Sequence, residues 1–569
     1  MQFNLPVLKL YKTPLLLTLV SCVLYAVFAY DLERTQYVKL VSLYTALFGL
    51  FYWLLRSYKN NFKLLTAIAF LFRAVLLLAI PNLSQDFYRF IWDGRMILEG
   101  FNPYVYTVTA FIEQGDFPVA QARELYHGMG TLNAGHYTNY PPINQLCFII
   151  AGLLAGKSIL GSAVVLRVLI IAADFGTLYF GKRLLERLKL PVHNIFWYVL
   201  NPFIIIELTG NLHFEGVMIF FLVWSLYLLH KGKWYWAAVV LALSVSTKLI
   251  PLIFLPLFLQ WFTKRNVIAN SVKQSVSNNE IASSQVPRND RRDSSLALRM
   301  TRLIDFFIKK GGSRNNTSGS AQGDKEHNLS GRAQSRPSGD AKASDEMLKR
   351  TSGASVTVQH DKAGEIASSQ VPRNDGRDSS PALRMTKLIG FYAIVGGVTL
   401  LLFAPFFSTQ FIENYAETVA LWFQYFEFNA SLYYVAREIG YTFRGYNEIA
   451  IIGSYIPYVV IAFVLILSFF RKNRSMAQLI TAMLLALSFY YFTATTVHPW
   501  YVATLLALSV FTRYKFPLVW SFVIILSYLA YIQAGTSQKS ENLLIIAIEY
   551  LVVYGVFFWD IFRKKSKAV

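Results

Sequence analysis

Ionisable side chains stand at the edges of long apolar runs in this sequence, within four polar stretches. The stretches are SQDFYRFIWDGRMILEGFNPY at 84–104, HYTNYPPINQL at 136–146, TGNLHFEG at 209–216 and TTVHPWYV at 495–502. A charge at or inside an apolar span is costly to keep there, so such residues tend to be functional. Carboxylates in this setting can take a proton from a reacting group, and Lys or Arg can bind an anionic group.

Two carboxylates are the strongest candidates. Asp86 directly follows a membrane-like run, and Glu215 lies beside His213 in a polar break between two apolar runs. A lone carboxylate in such a break is more often part of a site than of the fold. Asp93 is different, because a salt bridge to a neighbouring arginine such as Arg89 would explain it equally well.

The basic and aromatic candidates each have a structural alternative. Lys248, in STKLIP, either binds an anion or extends to the membrane surface as an anchor. His498 and Trp500 either line a site or belong to the belt of aromatic side chains at the membrane interface. Arg437, in FNASLYYVAREIG, adds a further cation. Spacing alone does not decide between these interpretations.

The composition indicates a membrane protein. Of the 569 residues, 54% are hydrophobic and 15% are charged, whereas soluble proteins average about 25% charged residues. Apolar runs of roughly 17–25 residues are typical of transmembrane helices, and about fourteen are present. We therefore predict an all-α polytopic membrane protein with about 13–14 transmembrane helices.

The net charge of +21 does not indicate nucleic-acid binding, because Lys and Arg are concentrated in short turns between apolar runs. Such turns are typical of the cytoplasmic side of a membrane protein. Examples are 182–189, 231–233 and 471–474. If these turns are cytoplasmic, both termini are cytoplasmic, and the loops 81–140 and 408–449 face outward together with His498. This topology requires that 141–156 is re-entrant or lies on the surface and that 234–262 forms two short helices.

Residues 263–387 differ in composition from the rest of the chain. They are rich in Ser, Asn, Gly and charged residues, which is typical of disorder. Residues 280–306 of this segment recur as 365–391, across its C-terminal border, with four differences in 27 positions. Two near-identical polar copies favour an insertion of repetitive DNA over a structural repeat, which normally needs three or more copies; a regulatory or docking loop is the alternative. The predicted membrane core is therefore 1–262 and 388–569, interrupted by a cytoplasmic insertion.

The order of the polar stretches resembles the C-type (GT-C) membrane glycosyltransferases, most closely the mannosyltransferase-like branch that includes the GPI mannosyltransferases and related bacterial enzymes. The matching pieces are, in order, the acid in QDFYRF, then WDGR, EGFNPY, the YPP lead-in, HFEG, the TK…P turn and HPWY. Members of the family often carry two acids in the first outer loop. Here Gln85 precedes Asp86, and Tyr88 takes the position of a second acid, so no metal site is predicted.

The resemblance implies an inverting glycosyltransferase that moves a sugar, mannosyl in type, from a polyprenyl-phosphate donor to an acceptor hydroxyl on the outer face of the membrane. The catalytic residues it implies are Asp86, Glu215 and His213. A leaving phosphate needs cations to stabilise its developing charge, and the candidates on the predicted outer side are Lys248, Arg437 and His498. The remaining substrate-binding residues are Arg89, Asp93, Tyr140, Trp500 and Tyr501.

The implied partners are the polyprenyl-phosphate sugar, a glycan or lipid acceptor and the lipid bilayer. Neither a cofactor nor a nucleic acid is expected, and the expected location is the bacterial inner (plasma) membrane.

Two other functions fit a chain with this many spans. A transporter or flippase of lipid-linked sugars would normally show internal repeats, broken helices and a site at the middle of the membrane. No repeated halves are evident, and the candidate charges gather on one side. An O-antigen-type polymerase also combines many spans with a large outer loop, and sequence does not separate it from the leading hypothesis.

Overall fold

The computed structural model describes residues 5–264, 380–424, 426–531 and 541–563. In the first range the helices are α1 (Leu5–Tyr30), α2 (Tyr37–Tyr58), α3 (Phe62–Val75), α4 (Asp86–Leu98), α5 (Val108–Glu113), α6 (Ala122–Ala134), α7 (Pro142–Ala155), α8 (Ile159–Arg187), α9 (Phe196–Val199), α10 (Pro202–Ile204), α11 (Glu215–His230), α12 (Trp234–Val245) and α13 (Phe258–Thr263). In the later ranges they are α14 (Pro381–Phe403), α15 (Thr409–Gln424), α16 (Leu432–Arg444), α17 (Ile449–Phe469), α18 (Met476–Thr493), α19 (Val502–Ser509), α20 (Phe516–Val523) and α21 (Leu543–Phe562). The predicted all-α architecture is confirmed.

Seven of the described helices are long and apolar enough to cross a membrane, namely α1, α2, α8, α14, α17, α18 and α21. An eighth span results if the segments Pro202–Gly210 and Glu215–His230, which meet at 114°, are counted as one broken span. Five shorter apolar segments accompany them. The chain is therefore a multi-pass membrane protein.

Several of the predicted spans are short or interrupted in the structure. The run 62–80 is helical only to Val75, and the run 194–210 consists of short helical pieces that end in a π-helical turn, Ile205–Gly210. The run 234–262 is divided into two short apolar helices, as predicted. Proline explains part of this pattern, because it lacks the amide that a continuous helix needs.

One end of the helix bundle collects the polar stretches. The Asn82 side chain donates hydrogen bonds to the carbonyl oxygens of Phe28 and Leu32, at 2.8 and 3.0 Å. The backbone amide of Leu83 donates to the Asn211 side chain at 3.0 Å. These contacts bring the α1–α2 turn, the start of the loop before α4 and the break after the π-helical turn to the same end.

Helix α7 packs against α4 and begins beside the end of α12. It packs so closely on α4 that a Cβ atom on Gly94 would lie 2.2 Å from the carbonyl oxygen of Phe148. The backbone amide of Ile143 donates a hydrogen bond to the carbonyl oxygen of Ser246 at 2.9 Å. Arg167, near the start of α8, donates to the carbonyl of Gly210 at 3.0 Å, directly before the break. The N-terminal end of α7 therefore lies beside the end of α12. A surface-lying or re-entrant 141–156 stays a prediction.

The predicted insertion, 263–387, lies almost entirely outside the described residues. Its C-terminal border is visible, because α14 already begins at Pro381. The side chain of Ser380 accepts a hydrogen bond from the amide of Leu383 at 3.3 Å and caps the helix.

Deleting one repeat period, residues 302–386, should leave membrane insertion and thermal stability unchanged. The first repeat copy would then continue into Lys387, and Ser295 would take the capping position of Ser380. Changing the length of a surface loop alters its closure entropy little, by about 0.6 kcal/mol per doubling. The measurements are the yield of monodisperse protein in detergent and its unfolding midpoint. A clear drop in either would show that the removed residues stabilise the fold.

Candidate functional site

Asp86 is the first residue of α4, where the positive end of the helix dipole favours a carboxylate. Its side chain accepts a hydrogen bond from the Asn133 amide group at 3.1 Å. Burial raises the pKa of Asp86 above its ordinary value of 3.8, while the Asn133 hydrogen bond and the charges of Lys248 and Arg34 lower it. Asp86 is thus a carboxyl group in a poorly solvated position, within electrostatic reach of two cations.

Lys248 forms an ion pair with Glu215. The Lys248 Nζ lies 3.1 Å from the Glu215 Oε1, and the carboxylate is fully buried whereas 22% of the Lys248 side chain is exposed. Glu215 is the first residue of α11, after the break, and Lys248 follows the end of α12. Its Nζ also lies 5.4 Å from the centre of the Tyr140 ring, a cation–π contact. A cation held by a buried acid on one side therefore remains open to an anion on the other.

Tyr140 lies within electrostatic reach of both acids, Asp86 and Glu215. Burial raises the pKa of Tyr140 well above 10.0, and the charges of Asp86 and Glu215 raise it further, so both carboxyl groups are within electrostatic reach of its ring. The ring packs edge-on against Phe90 of α4 at 4.9 Å. Lys248 therefore contacts Glu215 and the Tyr140 ring directly, and Asp86 lies within electrostatic reach of Lys248 and Tyr140.

A column of stacked rings stands beside this group. The His213 ring lies on the Trp500 ring, with centres 3.7 Å apart, and Trp500 lies on His498 at 4.6 Å. His498 in turn stacks on Phe428 at 5.2 Å, and Tyr501 meets His498 edge-on at 5.4 Å. His213 is within electrostatic reach of Lys248, so the column borders the Lys248–Glu215 pair.

Phe428 is not predicted from the sequence, and backbone pairing explains its position. The amide of Phe428 donates to the carbonyl of Thr495 at 3.1 Å, and the amide of Val497 donates to the carbonyl of Phe428 at 2.8 Å. These bonds form an isolated parallel bridge. A single bridge between distant loops leaves no periodic pattern that sequence could reveal.

Glu207 is a second residue that the sequence prediction omits. Its Oε2 lies 3.9 Å from the His213 Nε2, and its Oε1 accepts a hydrogen bond from the Tyr528 hydroxyl at 2.8 Å. The available signal was the acid itself, since PFIIIELTG places a carboxylate inside an apolar run.

Arg34 is a third. It lies in the α1–α2 turn and donates to the carbonyl of Leu83 at 3.2 Å. This contact holds a cation beside the loop that leads into Asp86. Nothing in its local sequence distinguishes it from the other basic residues near span ends.

Arg89 and Asp93 form a buried salt bridge within α4. The Arg89 Nε lies 2.7 Å from the Asp93 Oδ1, and the two side chains are 1% and 0% exposed. Arg89 also donates to the carbonyls of Asn133 and His136, at 2.7 and 3.0 Å. The geometry corresponds to the salt-bridge alternative for Asp93, and it ties the α6–α7 loop to α4. A direct substrate contact by either residue stays a prediction.

Replacing Asp93 by alanine should destabilise the protein by ~3–5 kcal/mol, because it leaves the buried Arg89 guanidinium without its partner. The unfolding midpoint in detergent measures this. An Arg89→Met, Asp93→Leu double variant removes both charges and should recover part of the loss. A wild-type midpoint in Asp93→Ala, together with weaker substrate binding, would instead identify the pair as a substrate ligand.

Arg437 is paired with two acids, Glu427 and Glu438. Its guanidinium lies 2.9 Å from Glu427 and 3.0 Å from Glu438, and it stands 4.5 Å from the centre of the Tyr434 ring. No hydrogen bond, ion pair or ring contact described by the structure joins it to Lys248. Its predicted role as a phosphate ligand stays a prediction.

The described residues contain no group of three or more His, Cys, Asp or Glu side chains that could hold a metal ion. The two cations within reach of Asp86 would also repel a bound metal. Independence from metal stays a prediction.

Comparison with known proteins gives a match for the N-terminal part of the chain. Residues 18–264 match the family described as alpha-(1->6)-mannopyranosyltransferase, N-terminal domain. This range contains Asp86, Tyr140, Glu215 and Lys248.

Two curated relatives carry the name Alpha-(1->6)-mannopyranosyltransferase A. The protein from Mycobacterium tuberculosis is 23% identical over 195 residues, which cover 34% of this chain and 36% of the relative. The protein from Corynebacterium glutamicum is 25% identical over 212 residues, which cover 35% of this chain and 41% of the relative. The chain thus spans about two fifths of the length of the curated relatives it matches, and no solved structure matches it.

The family match covers the part of the chain that carries Asp86, at the start of α4, and Glu215, after the break. The family match and the two relatives confirm the resemblance to the mannosyltransferase-like membrane glycosyltransferases. The family match places it in residues 18–264.

Proposed function

We propose that this protein is an inverting mannosyltransferase that takes its sugar from a polyprenyl-phosphate donor. The observation that carries the proposal is the convergence of Asp86, in an environment that raises its pKa, with a partly exposed Lys248 that is paired to the buried Glu215. This group lies in the range that is similar to alpha-(1->6)-mannopyranosyltransferases.

Asp86 is suited to the role of general base. A carboxylate with a raised pKa is a better proton acceptor near neutral pH than an ordinary aspartate. Asp86 takes the proton of the acceptor hydroxyl, the hydroxyl oxygen bonds to the anomeric carbon, and the bond from that carbon to the phosphate oxygen breaks. The electron pair leaves with the polyprenyl phosphate, and one base on one face gives inversion, by analogy with glycoside hydrolysis.

Lys248 is suited to bind the leaving phosphate. Its ammonium group has three donors, and the Glu215 carboxylate lies on one side of it, so the other side is available for an anion. A charge-assisted contact of this kind stabilises the negative charge that develops on the leaving oxygen. Glu215 then acts as the counterion that holds Lys248 in place, and Arg34 adds positive charge near Asp86.

The exposed apolar side chains of α16 support the proposal that the donor enters the site from the membrane. One side of this helix is an exposed apolar stripe, in which Val435, Ile439 and Phe443 are 59%, 54% and 81% exposed. Tyr433 and Tyr434, on the other side, are buried. A helix of this kind lies in the membrane interface with its apolar side in the lipid. The polyprenyl chain of a donor could enter beside it.

We place the site on the outer face of a bacterial inner membrane, with both termini cytoplasmic. The support is the distribution of basic residues at the opposite ends of the helices. Lys182, for example, lies 4.8 Å from the centre of the Phe62 ring, at the start of α3, whereas the end of α3 leads to the loop before Asp86. Basic turns on the far side favour a cytoplasmic position for that side.

A flippase of lipid-linked sugars is the second candidate, and the broken span favours it. The segments Pro202–Gly210 and Glu215–His230 meet at 114°, and broken helices whose ends face the substrate are frequent in transporters. Chemistry separates the two, because a flippase returns its lipid-linked sugar intact.

The proposal is tested with purified protein in lipid nanodiscs, offered radiolabelled polyprenyl-phosphate mannose or nucleoside-diphosphate mannose together with a mannoside acceptor. We expect transfer from the lipid-linked donor only, and an anomeric configuration in the product, read by NMR, opposite to that of the donor. Transfer from the nucleotide sugar, or retention of configuration, would contradict the proposal.

A further inference from the structure

Glu207 lies next to His213, the ring that stacks on Trp500. Each of the two side chains has one buried polar atom without a hydrogen-bond partner in the part of the chain that the structure describes. The Glu207 side chain is 1% exposed and the His213 side chain 2%. Glu207 Oε2 and His213 Nε2 lie 3.9 Å apart, and neither has a hydrogen-bond partner among the described residues. Two buried groups with unused atoms this close are rare in folded proteins, because each carries a desolvation penalty.

The backbone between them is unusual. Glu207 lies in the π-helical turn Ile205–Gly210, and Leu212, next to His213, has a positive φ of 62°. Both features are sparsely populated and are concentrated at functional sites. The Tyr528 hydroxyl holds the other oxygen of Glu207 at 2.8 Å, so only Oε2 is available to His213.

The charges around the pair favour a neutral state while the site is empty. The titratable groups within electrostatic reach of Glu207 or His213 are Lys248, His498, Glu215, Tyr44 and Tyr528. Lys248 disfavours an imidazolium at His213, and Glu215 disfavours a second carboxylate at Glu207. An uncompensated buried ion costs several kcal/mol, so the proton belongs on the Glu207 carboxyl group.

A phosphate bound at Lys248 reverses this preference. Its negative charge offsets Lys248 and attracts a positive charge onto His213, whose ring is already stacked on Trp500 at 3.7 Å. The face of the Trp500 ring also stabilises a positive charge on the stacked His213 ring, as in other cation–π contacts.

We propose that Glu207 and His213 share one proton, which moves from the Glu207 carboxyl group to the His213 Nε2 when a phosphate group occupies the Lys248 site. The O–H bond at Glu207 Oε2 breaks and an N–H bond forms at Nε2, so no proton is taken from solvent. The site thereby gains a second cation only while the phosphate is present. Glu207 is a positioning residue in this scheme, because it acts on the phosphate through His213. The proposal rests on the proposed function for the source of the phosphate.

Infrared difference spectroscopy on binding of polyprenyl phosphate to the protein in nanodiscs tests the transfer without any need for turnover. Wild type should lose the carbonyl band of one protonated carboxyl group when the ligand binds. Glu207→Gln should show no such loss, and neither should His213→Asn, which lacks the proton acceptor. Inorganic phosphate is the second probe, and the same band loss with it would show that the phosphate group alone is recognised.

The matched control is Glu549→Gln. Glu549 is another fully buried glutamate, but its Oε1 accepts hydrogen bonds from Asn429 and Trp520, at 3.2 and 3.0 Å. This variant should lose the same band as wild type. If Glu207→Gln does not fold, Tyr528→Phe replaces it, because it keeps the acid and removes one hydrogen bond; the band should then shift in frequency and still disappear on binding.

Binding isotherms from the same samples separate the two proposals. Absence of polyprenyl phosphate binding to wild type would contradict the proposed phosphate site itself. Binding without loss of a carboxyl band in wild type, or the same band loss on binding in Glu207→Gln, would overturn the proton transfer alone.

Discussion

Asp86→Asn should lower turnover at least ~10²-fold, since the amide keeps the shape of the side chain but cannot accept a proton. The Asn133 contact and the fold should survive, because an amide at 86 can still bond to the amide at 133. Protein yield and donor affinity should therefore change little. The matched control is Asp116→Asn, an exposed acid in the loop between α5 and α6, which should retain full turnover. Near-normal turnover in Asp86→Asn would remove Asp86 from the mechanism.

The pH profile gives the same assignment a second readout. Burial raises the pKa of Asp86 above 3.8, so kcat/KM should fall as pH drops through this raised pKa, at a higher pH than for an ordinary aspartate. The Asn133 hydrogen bond lowers the pKa of Asp86. Asn133→Ala should consequently move the acid limb to still higher pH. A limb that is unmoved in this variant would show that another group controls it.

Lys248→Met should raise the donor KM roughly 10- to 100-fold, because a hydrogen bond to a charged group contributes about 1.5–3 kcal/mol. The single variant also leaves the Glu215 carboxylate buried without its partner, so a loss of stability is expected at the same time. The double variant Lys248→Met, Glu215→Gln removes both charges and separates the two effects. It should recover the unfolding midpoint and keep the raised KM. Recovery of the wild-type KM in the double variant would show that Lys248 serves the fold and not the donor.

Helical class and membrane insertion could be predicted because apolar runs directly determine both. The number of complete crossings could not, since short and broken segments have the same composition as spanning ones. The run 194–210 is an example: it is as apolar as a span, yet it ends in a π-helical turn. Only the contacts of Asn211 and Arg167 with neighbouring elements show where that run ends.

For the candidate site, the sequence predicts on which side of the membrane the residues lie, but it does not predict which of them are neighbours. Asp86, Glu215 and Lys248 lie at the same end of the bundle, and the structure also brings them together laterally. The pairing of Arg437 with Glu427 and Glu438 could not be predicted, because it joins residues of a loop and a helix whose arrangement has no periodic pattern in the sequence. Glu207 could be found only by treating every acid inside an apolar run as a candidate.

The most direct test of the central claim is the release of polyprenyl phosphate from a donor that is radiolabelled in its phosphate, measured in a single turnover with acceptor present. Wild type should release one labelled polyprenyl phosphate for each mannosylated acceptor formed, and Asp86→Asn should bind the donor and release almost none. Unchanged release in Asp86→Asn would contradict the assignment of the base. Movement of the intact donor across the bilayer without any release would contradict the transferase itself.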